Sequence, residues 1–433
     1  MLALELIIVL LTIFLGIKLG GVGIGFTGGL GVLALAMLGI KPGNIPLDII
    51  IIIMVIMTTV STIQIAGGMD YLIQKTEKIL RKNPKYITVI APIITYFLTI
   101  FTGTGSIILF TLPIITEVAK EQGIRPCLPL STSVIASQLA ITASPVSAAV
   151  VYMSSIIESQ GISYINLLIV VIPSTFMAVL IMSIIVSLCL NSKLSDHPIY
   201  QKRLSEGLIK VVRKKPLVIK YQAKRSVWIF LLGIICIVCY AIINSPITNL
   251  IKEPIMNTTE AILSIMLSIA AITIILCHIE TNKILNSSTL KSGMNACICI
   301  LGVAWLGDTF IQANLEWIKD NISSIIQYHT SFLIIIFFFI SILFYSQVAT
   351  AKALMPMIIT LNISPVDVIS AFAAISGLFV IPTYPTLVAA VRIDDTGTSN
   401  IGKYIFNHTF LIPGTIGVTL SIIFHILLGS AIL

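Results

Sequence analysis

Ile141-Thr-Ala-Ser-Pro145-Val-Ser-Ala-Ala149-Val-Val151 and Ile381-Pro-Thr-Tyr-Pro385-Thr-Leu-Val-Ala389-Ala-Val391 read as two versions of one apolar segment broken at a proline. Ile, Pro, Ala and Val coincide at one constant offset. Upstream, Gly123-Ile-Arg-Pro126 matches Asn362-Ile-Ser-Pro365, and Leu112-Pro113-Ile-Ile matches Met355-Pro356-Met-Ile. Apolar segments resemble one another by composition alone. Three prolines in the same order at near-constant spacing point instead to an internal repeat, in which each half carries a polar hairpin tip and a span broken at proline.

The surroundings of these segments are long apolar runs, among them Leu2–Leu15, Ile49–Val60, Leu167–Leu190, Val227–Ile243 and Phe332–Tyr345. Hydrophobic residues make up 57% of the 433 and charged residues only 10%, against about 25% charged in soluble domains. About 20 apolar residues cross a bilayer as a helix. Lipid offers the backbone no hydrogen-bond partners, so such runs are helical; a barrel would show short alternating segments. The expected fold is an all-α polytopic membrane protein. Glu5 and the lack of a basic n-region argue against a signal peptide, so the first run reads as a retained span.

Spans are expected near 2–17, 22–40, 47–66, 129–157 and 164–190, then near 227–243, 258–279, 292–307, 366–390 and 409–432. Two interrupted stretches, 86–122 and 331–361, have arms short for a full crossing and read as re-entrant hairpins. A polar helix is expected near 311–328. The chain thus divides into a membrane repeat (1–190), a basic linker (191–226) and a second repeat (227–433). Five spans per half make the second repeat inverted. The linker holds ten Lys/Arg and two acids, which accounts for the whole net charge of +8. Nucleic acid could explain such a cluster. The positive-inside rule explains it better, placing the linker and Lys75–Lys85 in the cytoplasm and both termini in the periplasm.

Inverted repeats with interrupted helices at matching positions mark a transporter's binding site. A broken helix leaves N–H groups unpaired at one end and C=O groups at the other, and a bound anion satisfies the former. The breaks are read at 102–106, 142–147, 346–352 and 383–386. The first supplies Thr102, Gly103, Thr104, Gly105 and Ser106 as candidate substrate contacts; the second, Thr142, Ser144 and Ser147. The third supplies Gln347, Thr350 and Lys352; the fourth, Thr383, Tyr384 and Thr386. Glycine lets the backbone approach closely and hydroxyls both donate and accept, a combination suited to carboxylates. Lys352 is the one cation in these breaks. It either faces the substrate or snorkels to the outer surface.

Other features have structural readings. Gln64 and Gln138 serve as interhelical glue or as substrate contacts. Asp394-Asp395-Thr396-Gly397-Thr398 reads first as capping and loop structure. His425 reads as packing. The glycines of Gly20–Gly31 read as close helix contact rather than a phosphate loop. The seven cysteines lie mostly in apolar runs and read as buried thiols without disulfides or metal. An enzyme would need a nucleophile with its base, a metal cluster or a cofactor motif; no His or acid pair has such spacing, and no cofactor is expected.

At Gly103-Thr104-Gly105, Arg81-Lys-Asn-Pro-Lys-Tyr86, Ala143-Ser-Pro-Val-Ser147, Pro173-Ser-Thr175, Pro382-Thr-Tyr-Pro385 and Asp395-Thr-Gly-Thr398, the chain resembles the anaerobic C4-dicarboxylate transporters of the Dcu family, closest to the A-type, end to end. Ser346-Gln-Val-Ala349 stands where the family shows Ser-Gln-Ala-Ala. The resemblance implies inner-membrane transport of fumarate, malate, succinate and aspartate under anaerobic conditions, by exchange or cation-coupled uptake. It also implies paired hairpins, an elevator-like motion and a homodimer. A sodium-coupled organic-anion carrier is the alternative within transport.

Overall fold

The computed structural model describes residues 2–190, 193–209, 221–244, 254–317, 331–344, 346–360, 363–382, 384–402 and 407–433. Their regular structure is helical, with two isolated β-bridges, Ile124–Lys193 and Ile401–His408, among the described residues. Helices α1 (Leu2–Leu19), α2 (Gly23–Met37) and α3 (Leu47–Ile65) lead into α4 (Gly68–Lys82). A first hairpin follows, α5 (Ile87–Thr102) and α6 (Ile108–Glu121). Next come a broken pair, α7 (Cys127–Ile141) and α8 (Ala148–Ile157), and the long α9 (Tyr164–Cys189).

After the linker helix α10 (Pro198–Ser205), a second set of helices follows. Helices α11 (Tyr221–Ile243), α12 (Thr258–Cys277), the short α13 (Thr281–Ile284) and α14 (Ser288–Ala313) precede α15 (Ser331–Phe344) and α16 (Gln347–Thr360). A second broken pair, α17 (Pro365–Ala374) and α18 (Pro385–Ile393), leads to α19 (Leu411–Ile432). Among the described residues, seven helices are long and apolar enough to cross a membrane. Shorter apolar helices include α2, both halves of the first broken pair and Pro365–Phe379.

The burial pattern is that of a membrane protein. Leu188 is 80% exposed and Phe14 67%, while Thr59, Ser61, Thr62, Ser133, Ser137 and Gln138 are buried. The hydroxyls can afford this because many bond to a carbonyl within their own helix, as Thr95 does to Ala91 and Thr132 to Leu128. Such bonds satisfy the donor without an outside partner.

Helix starts follow local chemistry. Asn257 and Glu260 form a reciprocal capping box at α12, and Ser163 and Ser287 cap α9 and α14. The glycines of α2 serve close packing: a Cβ on Gly302 of α14 would lie 1.8 Å from the Gly25 carbonyl oxygen. In the first hairpin, Arg81 at the end of α4 pairs with Glu77 and reaches Glu117 and Glu121 in the last turns of α6. Both arms therefore begin and end at the same place.

Some boundaries differ from expectation. The first arm with its preceding turn, Pro84–Thr102, is 19 residues and could cross by length; only the return to Arg81 identifies a hairpin. Helix α11 starts at Tyr221, inside the expected linker, because Tyr221–Ser226 wind continuously into the apolar run. The expected polar helix at 311–328 begins inside α14, and its residues 318–328 lie outside the described residues.

Candidate functional site

The first two breaks fall where expected. Helix α5 ends at Thr102, Gly103 turns with φ +68°, and Thr104 is extended with its hydroxyl accepting the Ser106 N–H. Gly103 packs so tightly on the other break that a Cβ would come within 2.6 Å of the Val146 carbonyl oxygen. Ser144 donates to the Ile100 carbonyl at 2.6 Å and Tyr164 to that of Pro145. Ser147 caps α8 by accepting the Val150 N–H and donates to the Ile141 carbonyl at 2.6 Å.

The third and fourth breaks need correction. Ser346 accepts the Ala349 N–H and so starts α16 at Gln347. Thr350 and Lys352 are therefore inside a helix, not in a break. Thr350 donates to the Ser346 carbonyl. The fourth break opens earlier than expected, after Ala374, with a single turn at Gly377–Phe379 before α18. Thr386 is consequently the second residue of α18. Thr383 lies outside the described residues.

A cavity of about 370 Å³ lies between these breaks. The beginnings of four half-helices line it: Gly105 and Ser106 ahead of α6, Ala148 of α8, Ser346 and Gln347 of α16, and Tyr384 and Pro385 of α18. Each helix start carries roughly half a positive charge at best. The α18 start has no side-chain cap. Among the described lining residues none is Lys, Arg, His, Asp or Glu. Polar groups come from Thr104, Ser106, Ser292, Asn295, Gln347 and Thr386, and apolar walls from Ile53, Ile56, Met57, Ile141 and Leu378.

Several of these polar atoms await a partner. Gln347 donates to the Gln138 carbonyl at 2.8 Å and to Ser376 at 3.0 Å, yet its own Oε1 is unpartnered. Thr386 Oγ1 is buried without a partner. Ser106 and Ser292 hydroxyls meet at 3.1 Å. An unmet buried polar group costs about 1–3 kcal/mol, a penalty that a polar ligand removes.

Gly103, Thr104, Gly105, Ser106, Gln347, Tyr384 and Thr386 thus share the cavity, whereas Thr102, Thr142, Ser144, Ser147, Thr350 and Lys352 are not among its lining residues. Lys352 Nζ pairs with Asp48 at 2.8 Å and sits 4.9 Å from the centre of the Tyr152 ring. Sequence reasoning missed Ser292 and Asn295 of α14. Ser292 and Asn295, three residues apart, are the polar side chains of the expected span 292–307, the one available signal. Gln64 is interhelical glue, donating to Ser288 and accepting the Thr289 N–H. Asp394 is loop structure, its carboxylate accepting from Thr396, Thr398 and Ser399.

Comparison with known proteins reveals full-length relatives. A family model described as an anaerobic C4-dicarboxylate membrane transporter matches residues 1–433. The C4-dicarboxylate transporter DcuA of Escherichia coli K12 is 64% identical over 433 residues, all of both chains. DcuA of Wolinella succinogenes is 50% identical over 423 residues, 98% of each. The anaerobic C4-dicarboxylate transporter DcuB of Escherichia coli O6:H1 is 32% identical, covering 97% of this chain and 96% of the relative. In fold, the chain is similar to the YdaH transporter of Alcanivorax borkumensis, with a TM-score of 0.53 and 14% identity over 88% of this chain and 84% of that one.

Proposed function

Because the chain belongs to the DcuA/DcuB family and is thus a secondary C4-dicarboxylate transporter, not an enzyme, we propose that the cavity between the four breaks is where the dicarboxylate binds. The observation that carries this is the convergence of four half-helix starts on one uncharged cavity. Four dipole ends of about half a charge each approach the two negative charges of the substrate. Thr104, Ser106, Ser292, Asn295, Gln347 and Thr386 orient the carboxylates, and the isoleucine walls receive the short carbon chain between them. Fumarate, malate, succinate and aspartate all fit that description, and transport proceeds by exchange, with fumarate or aspartate entering as succinate leaves.

The two halves, 1–190 and 227–433, act as inverted repeats joined by the linker 191–226. The hairpins and broken pairs travel together as an elevator against α1–α3, α11, α12 and α14, in a homodimer in the inner membrane with both termini periplasmic. Lys352, outside the cavity, steadies this arrangement through Asp48 instead of touching substrate. The cavity also meets helix ends, at Gly103 and Ile141, whose partial negative charge favours a cation. This supports a second reading, a coupling cation bound beside the dicarboxylate.

The test is counterflow of labelled succinate in proteoliposomes. Gln347→Leu and Ser292→Ala are expected to raise the half-saturating succinate concentration about tenfold or more. Unchanged kinetics in both would remove the cavity as the binding site. Exchange indifferent to sodium and to an imposed proton gradient would remove the coupled cation.

A further inference from the structure

A second cavity, of about 250 Å³, lies beside the linker and is lined by Arg125, His197, Thr398, Asn400, His408 and Thr409 together with Cys127 and Ile412. The start of α7 reaches it at Cys127 and the start of α19 at Ile412. The Cys127 N–H at the α7 start is met by the Thr398 hydroxyl at 3.2 Å, whereas the α19 start, after Phe410, has no side-chain cap. Arg125 donates through Nε to the Lys193 carbonyl at 3.0 Å and has no ion pair among the described residues.

The unpartnered atoms here identify the ligand chemistry. His408 is 7% exposed, and its Nε2 lies 3.2 Å from the Val380 carbonyl. A carbonyl only accepts, so Nε2 carries the proton and Nδ1, which has no partner, presents a lone pair. Thr409 Oγ1 and His197 Nδ1 are also buried without partners.

Two features oppose an anion. The end of α9 meets the cavity at Leu190, but its half-charge is outweighed by the full charge of Arg125. Asp394 is near; Thr396, Thr398 and Ser399 hydrogen-bond its carboxylate without removing its charge, so the unpartnered polar groups, not net charge, hold the ligand.

We propose that this cavity binds a small oxyanion that carries an O–H of its own: Arg125 and the α19 start take the negative oxygens, and His408 Nδ1 accepts the ligand's hydroxyl proton in a hydrogen bond. A hydrogenphosphate and a hydroxycarboxylate share that chemistry. Occupancy would pin the starts of α7 and α19 together beside the linker.

Equilibrium dialysis of the full chain with labelled inorganic phosphate, labelled malate and labelled succinate, each against excess unlabelled succinate, tests this. Saturable retention of phosphate or malate, weakened about tenfold by Arg125→Gln and by Thr409→Val, is the expected result. Which of the two is retained names the source. Counterflow of succinate without phosphate should be unchanged in both variants. If Arg125→Gln does not fold, Thr409→Val carries the test. Retention of neither probe, or retention indifferent to both substitutions, overturns the proposal. The phosphate arm needs no ligand in the central cavity, so its outcome is independent of the function proposed above.

Discussion

Thr386 shows how an atom's lack of partners becomes a measurable property. Its hydroxyl is buried at the cavity and bonds to nothing. Replacing an unpaired buried hydroxyl by a methyl group is neutral or stabilising. Thr386→Val should therefore leave the melting temperature of ligand-free protein unchanged or raised, while reducing the upward shift produced by saturating succinate. Thermal unfolding with and without succinate measures both. A variant that lost stability without ligand yet kept the full succinate shift would make Thr386 a packing residue. Gly103 is the opposite case. Its φ of +68° and the 2.6 Å approach to the Val146 carbonyl exclude a side chain, since a left-handed conformation alone costs about 1–2 kcal/mol. Gly103→Ala should insert normally, lose most succinate exchange and unfold at lower temperature. Normal exchange would show that the hairpin tip and the α7–α8 break do not need to touch.

At the scale of elements, the pair Lys352–Asp48 joins the second hairpin arm to the start of α3. The Lys352 side chain is 17% exposed and that of Asp48 49%, so solvent screens the pair and its worth to stability is about 1 kcal/mol or less. Its value lies in position. Lys352 is five residues past Gln347, about 7.5 Å along the helix, and leaves the cavity to the uncharged groups. Lys352→Ala and Asp48→Ala should therefore impair succinate exchange alike, and the swap Lys352→Asp with Asp48→Lys should restore part of it. A lysine that touched substrate would instead leave Asp48→Ala active and the swap dead. Arg81 plays a similar part at the first hairpin, where its carboxylate partners Glu121 and Glu77 push its guanidinium pKa further up. Losing any one of these surface pairs should change little.

For the whole molecule, a hairpin and a broken helix pair stand on either side of the linker, and the basic residues gather at α4 and in the linker 191–226. Arg203 of α10 donates to the Asp395 carbonyl, and Asp395 pairs with Lys120 at the end of the first hairpin. The linker thus sits at the same end of the molecule as the hairpin's two roots. The proposed orientation puts this end in the cytoplasm. Lys202, whose side chain is 76% exposed, offers a probe. On a background without native cysteines, Lys202→Cys should react with an impermeant maleimide only after the inner membrane is opened. Labelling in sealed, right-side-out cells would reverse the orientation and both termini with it.

The sequence alone determined what periodicity, composition and backbone chemistry carry. Apolar runs demand helices in lipid, so helices stand where spans were read, Leu47–Ile65 against 47–66 for example, though among the described residues six of the ten expected spans are long and apolar enough to cross. Glycine and proline interrupt helices for local reasons, so the breaks at 102–106 and 142–147 and their hydroxyls were legible. The glycines of α2 were legible as close packing. The third and fourth breaks were displaced because a cap or a single helical turn depends on a few torsions that composition does not specify. Ser346 capping Ala349 moved Lys352 into a helix. Only the tertiary structure decided which groups share one space. Ser292 and Asn295 of α14 join a cavity built from residues far away in the chain, and Lys352 finds Asp48 rather than the cavity. A side chain's type follows from its codon, but its partner follows from packing among distant helices. A hydroxyl or a lysine in an apolar span is therefore only a candidate until the fold shows what lies across from it.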